Sequence, residues 1–384
     1  MNLKLVDKEL VKIRRHLHAY PELSEEELQT ADKIVRFVAR YHPTTVIERV
    51  GGTGVLVVFD FGKIGPTILF RAELDALPIQ EVNDFKYRST VDNVAHKCGH
   101  DGHATILIGL AKCLSEQPFA NGKIVLLFQP AEENGVGAKA VLSDPKFEVI
   151  QADYVFAFHN LPGYPLHQVV VRKGSFTASV KSVVIKIYGK TAHAAEPEYG
   201  ANPALAIASI LNNTNSLSNN QPEREDFVVI TPIHIDMGNI SYGVSAGYGE
   251  LRLTLRTWTE EQLNLLSKQV LKIIQSATEE HQLQSEIEWT HHFVANENNA
   301  EAVDTIFQAA INSKVSVISS PYPFKWGEDF GLFTQHYKGA MFGIGAGKNT
   351  PALHNPDYDF PDAIIPTGVN VFYNIASNIL GQGS

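Results

Sequence analysis

The chain has 384 residues, 44% of them hydrophobic and 19% charged, with a formal net charge of −10. That length is more than one core ordinarily serves, so two domains are expected. The acidic balance argues against a nucleic-acid-binding protein, which would show a basic face, and gives no attraction to an anionic membrane.

In chain order, residues 7–20 and 25–41 read as two helices, with Ser24 as N-cap and Glu25 to Glu27 at the positive end of the second. His16 and His18, in the first helix, read as structural residues. Strands follow over 54–61 and 67–72, the second leading to Glu73 and Asp75. A loop then carries His96, Lys97, Cys98, Gly99, His100, Asp101, Gly102 and His103 into a helix over 104–116. Cys113 within that helix reads as a small buried apolar residue. The apolar run 124–128 has the pattern of a central strand covered on both faces. It leads through Gln129, Pro130 and Ala131 to the adjacent carboxylates Glu132 and Glu133. Their side chains point different ways, so one can bind a cation while the other holds a proton, although such a pair alone is most simply a solvated acidic turn. A short helix over 137–143 and a strand over 154–158, ending in His159 and Asn160, complete this part. Strands alternating with helices imply an α/β layer with a mixed, mostly parallel sheet flanked by helices.

From about Ser175 the rhythm changes to a strand over 180–188, a helix over 202–217, strands over 226–235 and 249–257, a helix over 259–281 and a strand over 285–292. That βαββαβ order is the split unit of a ferredoxin-like α+β domain, and Thr259 with Gln262 forms a capping box for its second helix. After residue 296 the first pattern resumes: a helix over 299–313, a loop over 326–330, a strand over 340–344, a Gly-rich turn to His354 and a helix over 366–380. The expected organisation is a discontinuous domain, 1–176 and 294–384, interrupted by an inserted domain, 177–293. The N-terminal segment is charged and lacks the apolar core of a signal peptide. No apolar run reaches membrane-spanning length, and two cysteines form no disulfide framework. A cytoplasmic location is therefore expected.

Four strands of the first pattern end in polar ligand types: Glu73 and Asp75, Glu132 and Glu133, His159, and His354. Open α/β sheets bind ligands beyond the carboxyl ends of their strands, and the loop with Cys98 and His100 can reach the same edge. Thiolate, imidazole and carboxylate donors together are the ligand set of zinc and related transition metals. Each fragment alone is ordinary, since His159 can be satisfied by backbone and His354 can be a turn residue. Their coincidence at one edge points to a metal site.

Several ordered segments resemble the amidohydrolase branch of the co-catalytic metallopeptidases, which includes hippurate hydrolase, bacterial aminoacylases and hydrolases of auxin–amino-acid conjugates. They are RRHLHAYPELS (14–24), RAELDALPI (71–79), CGHDGHA (98–104), QPAEENGVGA (129–138), GKTAHAAEP (189–197), GEDF (327–330) and LHNPDYDF (353–360). The resemblance implies a phosphorylase/hydrolase-like catalytic domain in which Cys98, His100, Glu133, His159 and His354 bind two divalent ions. Zinc or manganese would fill such a site, with cobalt or nickel also suited. It further implies Glu132 as general base, Asp75 as an acid behind the ligands, Asp101 orienting a ligand histidine, and His193 holding the substrate carbonyl. The inserted domain would be a lid through which two copies form a homodimer.

The implied reaction is hydrolysis of the amide bond of N-acyl amino acids or related conjugates. A dipeptidase or carboxypeptidase acting on small peptides is the neighbouring alternative. A non-catalytic metal-binding protein of the same fold is the distant one, and a thiol-redox role for Cys98 lacks a resolving cysteine nearby. Departures from the branch fall at Glu73, where it has Asp, at Lys97, at Asn134 and Val136, and over 242–250. Lys97 is expected to set a cation beside the metal.

Overall fold

The computed structural model of the protein describes residues 7–381. An eight-stranded sheet runs in the order Thr45–Val50, Gly54–Asp60, Lys123–Gln129, Thr67–Glu73, Tyr154–Pro162, Lys338–Gly347, Val169–Val171, Val317–Ser319. The four middle strands, from Lys123–Gln129 to Lys338–Gly347, are mutually parallel, while the flanking strands Gly54–Asp60 and Val169–Val171 pair with them antiparallel. The sheet is thus mixed and mostly parallel. Parallel pairing brings the C-terminal ends of these strands to one edge, which positions the site.

Burial explains the apolar runs. Val55, Phe70, Leu126, Phe156 and Phe342 share one core with the helices Lys8–Ala19, Leu28–Val38, His100–Glu116, Ala300–Asn312 and Ile365–Leu380. Leu56, Leu69, Val125 and Leu127, of the opposite parity, are equally buried. Arg71 belongs to that second face and binds Asp329, whose other oxygen accepts from the Ala138 N–H. The short helices Gly137–Leu142 and Gly331–His336 start from there.

Three boundaries differ from expectation in ways that matter to the site. The second helix begins at Leu28 with Glu27 as N-cap, because the Ser24 hydroxyl is diverted to Asp75 at 2.8 Å. The helix expected from residue 104 begins at His100, so His100, Asp101 and His103 occupy its first turn. The strand expected to stop at 158 continues to Pro162, and His159 and Asn160 lie within it.

Two compact units divide the chain. One comprises the described parts of Met1–Phe176, Asn296–Pro321 and Glu328–Ser384, and the other Thr177–Ala295 with Tyr322–Gly327. The second unit contains a four-stranded antiparallel sheet ordered Val228–Met237, Tyr248–Thr257, Ser179–Tyr188, Gln284–Phe293. Alternate residues Val183, Ile185, Leu251, Leu253 and Leu255 pack against the helices Ala204–Asn215 and Glu260–Glu280. Thr259 and Gln262 form the expected capping box. Among the described residues, no helix is long and apolar enough to cross a membrane.

Candidate metal centre

Cys98 and His100 flank Gly99, which caps the helix His100–Glu116 with φ +103. A Cβ on Gly99 would lie 2.0 Å from Asn160 Oδ1, so both conformation and space require glycine. Asn160 donates from Nδ2 to the Cys98 carbonyl at 3.0 Å and accepts from the Tyr358 hydroxyl at 2.8 Å. These bonds tie the loop to the strand that carries His159.

Asp75 orients His100. The His100 Nδ1 lies 2.9 Å from the Asp75 carbonyl oxygen and 3.2 Å from Oδ1. Both are acceptors, so Nδ1 carries a proton and Nε2 is turned to the cluster. Asp75 Oδ2 accepts from Ser24 Oγ at 2.8 Å and from the Glu133 N–H at 2.9 Å, so one carboxylate fixes both a histidine and the glutamate turn. At the head of that turn, Ala131 has φ +53, a conformation that costs an L-residue roughly 1–2 kcal/mol. Its N–H donates to the buried Glu27 carboxylate at 2.8 Å.

The expected ligands converge. Cys98 Sγ is 3.3 Å from His159 Nε2, and His354 Nε2 is 3.6 Å from Glu133 Oε2. His100 Nε2 is 3.9 Å from both Glu132 Oε2 and Glu133 Oε1. The donor atoms form three sets, each within 4.8 Å: Cys98, His100 and His159; Cys98, Glu133 and His354; and His100, Glu132 and Glu133. His100 Nε2 and Glu133 Oε1 are buried without a hydrogen-bond partner. Leaving such atoms unpaired costs about 1–3 kcal/mol each, and a cation between them removes that cost. The thiolate, imidazole and carboxylate donors fit divalent transition metals.

Electrostatics agree with that fit. Burial and then the charges of Glu328, Glu133 and Asp329 push the Glu132 carboxyl well above its usual range. Burial raises Glu133 to about 7, against the lowering effect of His100. Burial opposes a charge on His100, yet the Asp75 hydrogen bond and the charges of Glu73, Asp75 and Glu133 raise it to about 10. The pocket is short of positive charge, which cations supply.

Other residues take unexpected positions. The Lys97 ammonium does not join the donor sets: it is buried and donates to Glu81 at 2.5 Å and to the Tyr358 carbonyl at 2.8 Å. Asp101 accepts from His18 Nδ1 at 2.8 Å and pairs with Arg14 at 3.4 Å, so Asp75, and not Asp101, orients the histidine of the cluster. Glu73 accepts from Arg71 and from His103 Nδ1 at 2.6 Å. Arg71 also reaches Glu328 at 3.0 Å and Asp329 at 2.5 Å, and both acids lie within 4.8 Å of Glu132. Reading single strands missed this Arg71 cluster. Its available signal was an arginine inside a strand otherwise apolar on both faces, which demands buried carboxylates as partners.

His193 belongs to the second unit. There Ala192–His193 pairs antiparallel with Val244–Ser245, within the divergent 242–250 stretch. The exposed His193 ring accepts at Nδ1 from the Ala195 N–H at 3.1 Å. The donor sets above are built within the first unit without it.

Residues 69–378 match peptidase family M20/M25/M40. Hippurate hydrolase of Campylobacter jejuni is 31% identical over 374 residues, covering 97% of each chain. N-acetyl-L-cysteine deacetylase of Bacillus subtilis is 31% identical over 388 residues, covering 99% of this chain and 90% of its own. A solved dinuclear metal-binding M20 peptidase from Bacillus subtilis superposes with a TM-score of 0.82 at 26% identity, over 98% of both chains. With these likenesses over almost its full length, the chain belongs to peptidase family M20/M25/M40 and is a metal-dependent amidohydrolase.

Proposed function

We propose that the protein hydrolyses the amide bond of N-acyl amino acids or related conjugates. Two divalent ions would be held by Cys98, His100, Glu133, His159 and His354, with Glu132 as general base. The observation that carries this reading is a donor set with one carboxylate to spare. Glu133 shares sets with His100 and with Cys98 and His354, whereas Glu132 shares one with His100 and another with Glu328 and Asp329. A raised carboxyl beside ligands, rather than among them all, suits proton transfer. The names of the two curated relatives both denote hydrolysis of an acylated amino acid.

Bound divalent cations would polarise the amide carbonyl and acidify water. Glu132 takes a proton from the attacking water and returns it to the leaving nitrogen. The C–N bond breaks, amine and carboxylate depart, and no covalent enzyme intermediate forms. Asp75 keeps His100 and the glutamate turn in register during these steps. His193 supplies a donor to the carbonyl oxygen as charge develops there. A thiolate ligand favours zinc, while manganese, cobalt or nickel suit the remaining imidazole and carboxylate donors.

In this reading the catalytic domain is discontinuous and the second unit is a ferredoxin-like lid that also dimerises. Support comes from its βαββαβ order and from its outer strand, Val228–Met237, where Ile233 and Ile235 are 59% and 51% exposed. An apolar strand edge of this kind is a template for a second copy. Two thiols outside any disulfide are in keeping with a cytoplasmic location.

The test is metal content per chain after purification without chelators, followed by a panel of N-acyl amino acids and dipeptides. Close to two divalent ions are expected, with loss in Cys98→Ala, together with turnover of the acylated substrates. Turnover of dipeptides alone moves the assignment to a peptidase. Failure to retain any of zinc, manganese, cobalt or nickel ends the reading of these five residues as a two-ion site. His193→Ala is expected to lower kcat without unfolding the chain, and unchanged kinetics would remove His193 from the reaction.

A further inference from the structure

Glu132 sits between two backbone amides that are each held by a buried carboxylate. On its C-terminal side the Glu133 N–H donates to Asp75, which also serves His100. On its N-terminal side the Ala131 N–H donates to Glu27 Oε1 at 2.8 Å. Glu27 is fully buried, and its other oxygen accepts from the Thr53 hydroxyl at 2.7 Å. Thr53 is itself buried, in the turn ahead of the strand Gly54–Asp60. Glu27 therefore uses both oxygens on neutral donors, and no cation appears among its bonds. It belongs to none of the clustered donor sets.

This wiring differs from that of a helix cap. Glu27 is the N-cap residue of Leu28–Val38, yet its side chain makes no capping bond. Its carboxylate is spent on a different segment, at the one non-glycine residue of 130–137 with positive φ. An alanine in the left-handed region persists only where its surroundings over-determine it. Here a single acceptor takes its N–H, while its carbonyl accepts from the Gly137 N–H at 2.9 Å. Rotation of the 130–131 peptide would break the first bond and swing the next side chain, Glu132.

We propose that Glu27 is a positioning residue for hydrolysis: by accepting the Ala131 N–H it locks the left-handed turn that aims Glu132. The proposal rests on the reading of Glu132 as general base. It commits to geometry rather than charge, since only an acceptor at the reach of a glutamate side chain is needed. Glutamine meets that requirement, with Oε1 on Ala131 and its amide on Thr53. Aspartate keeps the charge but is one methylene short.

The experiment compares the metal-loaded full chain with Glu27→Gln, Glu27→Asp and Glu27→Ala. It reads metal per chain, thermal midpoint, amide exchange of a peptide spanning 129–136, and kcat and KM on an N-acetyl amino acid. In the Asp and Ala variants we expect faster exchange of that peptide and kcat lower by on the order of tenfold to a hundredfold, with KM and metal content little changed. Glu27→Gln is expected to restore slow exchange and most of kcat. Exchange that stays slow in both Asp and Ala variants overturns the proposal whatever the turnover. Fast exchange with unchanged kcat does the same, as do equal losses in Gln and Ala variants. Should Glu27→Ala fail to fold, the Gln–Asp pair carries the comparison. A wild type that binds metal but splits neither N-acyl amino acids nor dipeptides overturns the reading of Glu132 as general base and the catalytic half of this proposal together. Exchange then still decides whether Glu27 holds the turn.

Discussion

Two clusters of charge both draw residues from the His96–Asp101 segment, and they differ in what their carboxylate oxygens meet. In one, Glu81 Oε1 accepts from Lys97, His18 and Asn83, and Oε2 from the Ser89 N–H. Asp101 likewise accepts from the Gly102 N–H, His18 and Arg14. In the other, Glu133 Oε1 faces His100 Nε2 and neither has a hydrogen bond. Closed pairing is what a fold needs from buried charge, while open pairing held in place by Asp75 is what a ligand needs. Burial alone does not separate the two at their centres, because Glu81, Asp101 and His100 are all buried, although the donor cluster opens to solvent at His354.

The contrast breaks most sharply at Glu132. Glu132→Gln is expected to lower kcat by about 10²–10⁴, the usual contribution of a general base, while metal measured by plasma emission stays at the wild-type level. Metal loss with retained turnover would move Glu132 among the ligands. A smaller effect, on stability, is expected from Lys97→Met. Breaking a buried pair costs about 3–5 kcal/mol, so urea unfolding should shift by several kcal/mol while the folded fraction keeps its metal. Metal loss at unchanged stability would return Lys97 to the centre.

The smallest effect is one of pH. Glu81 is held at about 2: burial opposes this, but the bonds from His18 and Lys97 outweigh it. Its contribution is complete above the unfolded pKa of about 4.3 and is lost as pH falls toward 2. His18 is raised to about 9 by Asp101 and Glu81 against burial, so its contribution is complete below about 6.5 and is lost as pH rises through 9. Unfolding free energy should therefore fall less steeply from pH 6.5 to 9 in Glu81→Gln than in wild type. Identical slopes would mean that Glu81 does not hold the His18 proton.

Much of this was readable from the chain. The run 124–128 carried its own evidence of two covered faces, and the four strand ends carrying ligand types marked the edge at which donor atoms gather. What could not be read was direction. Lys97 and Cys98 are neighbours, yet one side chain joins Glu81 and the other faces His159, and no local pattern separates them. Ser24 has the chemistry of a helix cap, and only the proximity of Asp75 in space diverts it. Arg71 needed partners from the far end of the chain, Glu328 and Asp329, which spacing along a strand does not reveal.

The sheet order has a consequence for how the protein is made. The strand Lys338–Gly347 pairs with both Tyr154–Pro162 and Val169–Val171, although it is translated long after either. Until it emerges the sheet has a gap at its middle, and His354, which follows it, has not been synthesised. Under the proposed ligand set, Cys98, His100 and His159 then belong to a nascent chain that still lacks one donor, His354. A fragment ending at residue 337 is expected neither to fold nor to retain metal, so folding and loading are completed together, at the end of synthesis.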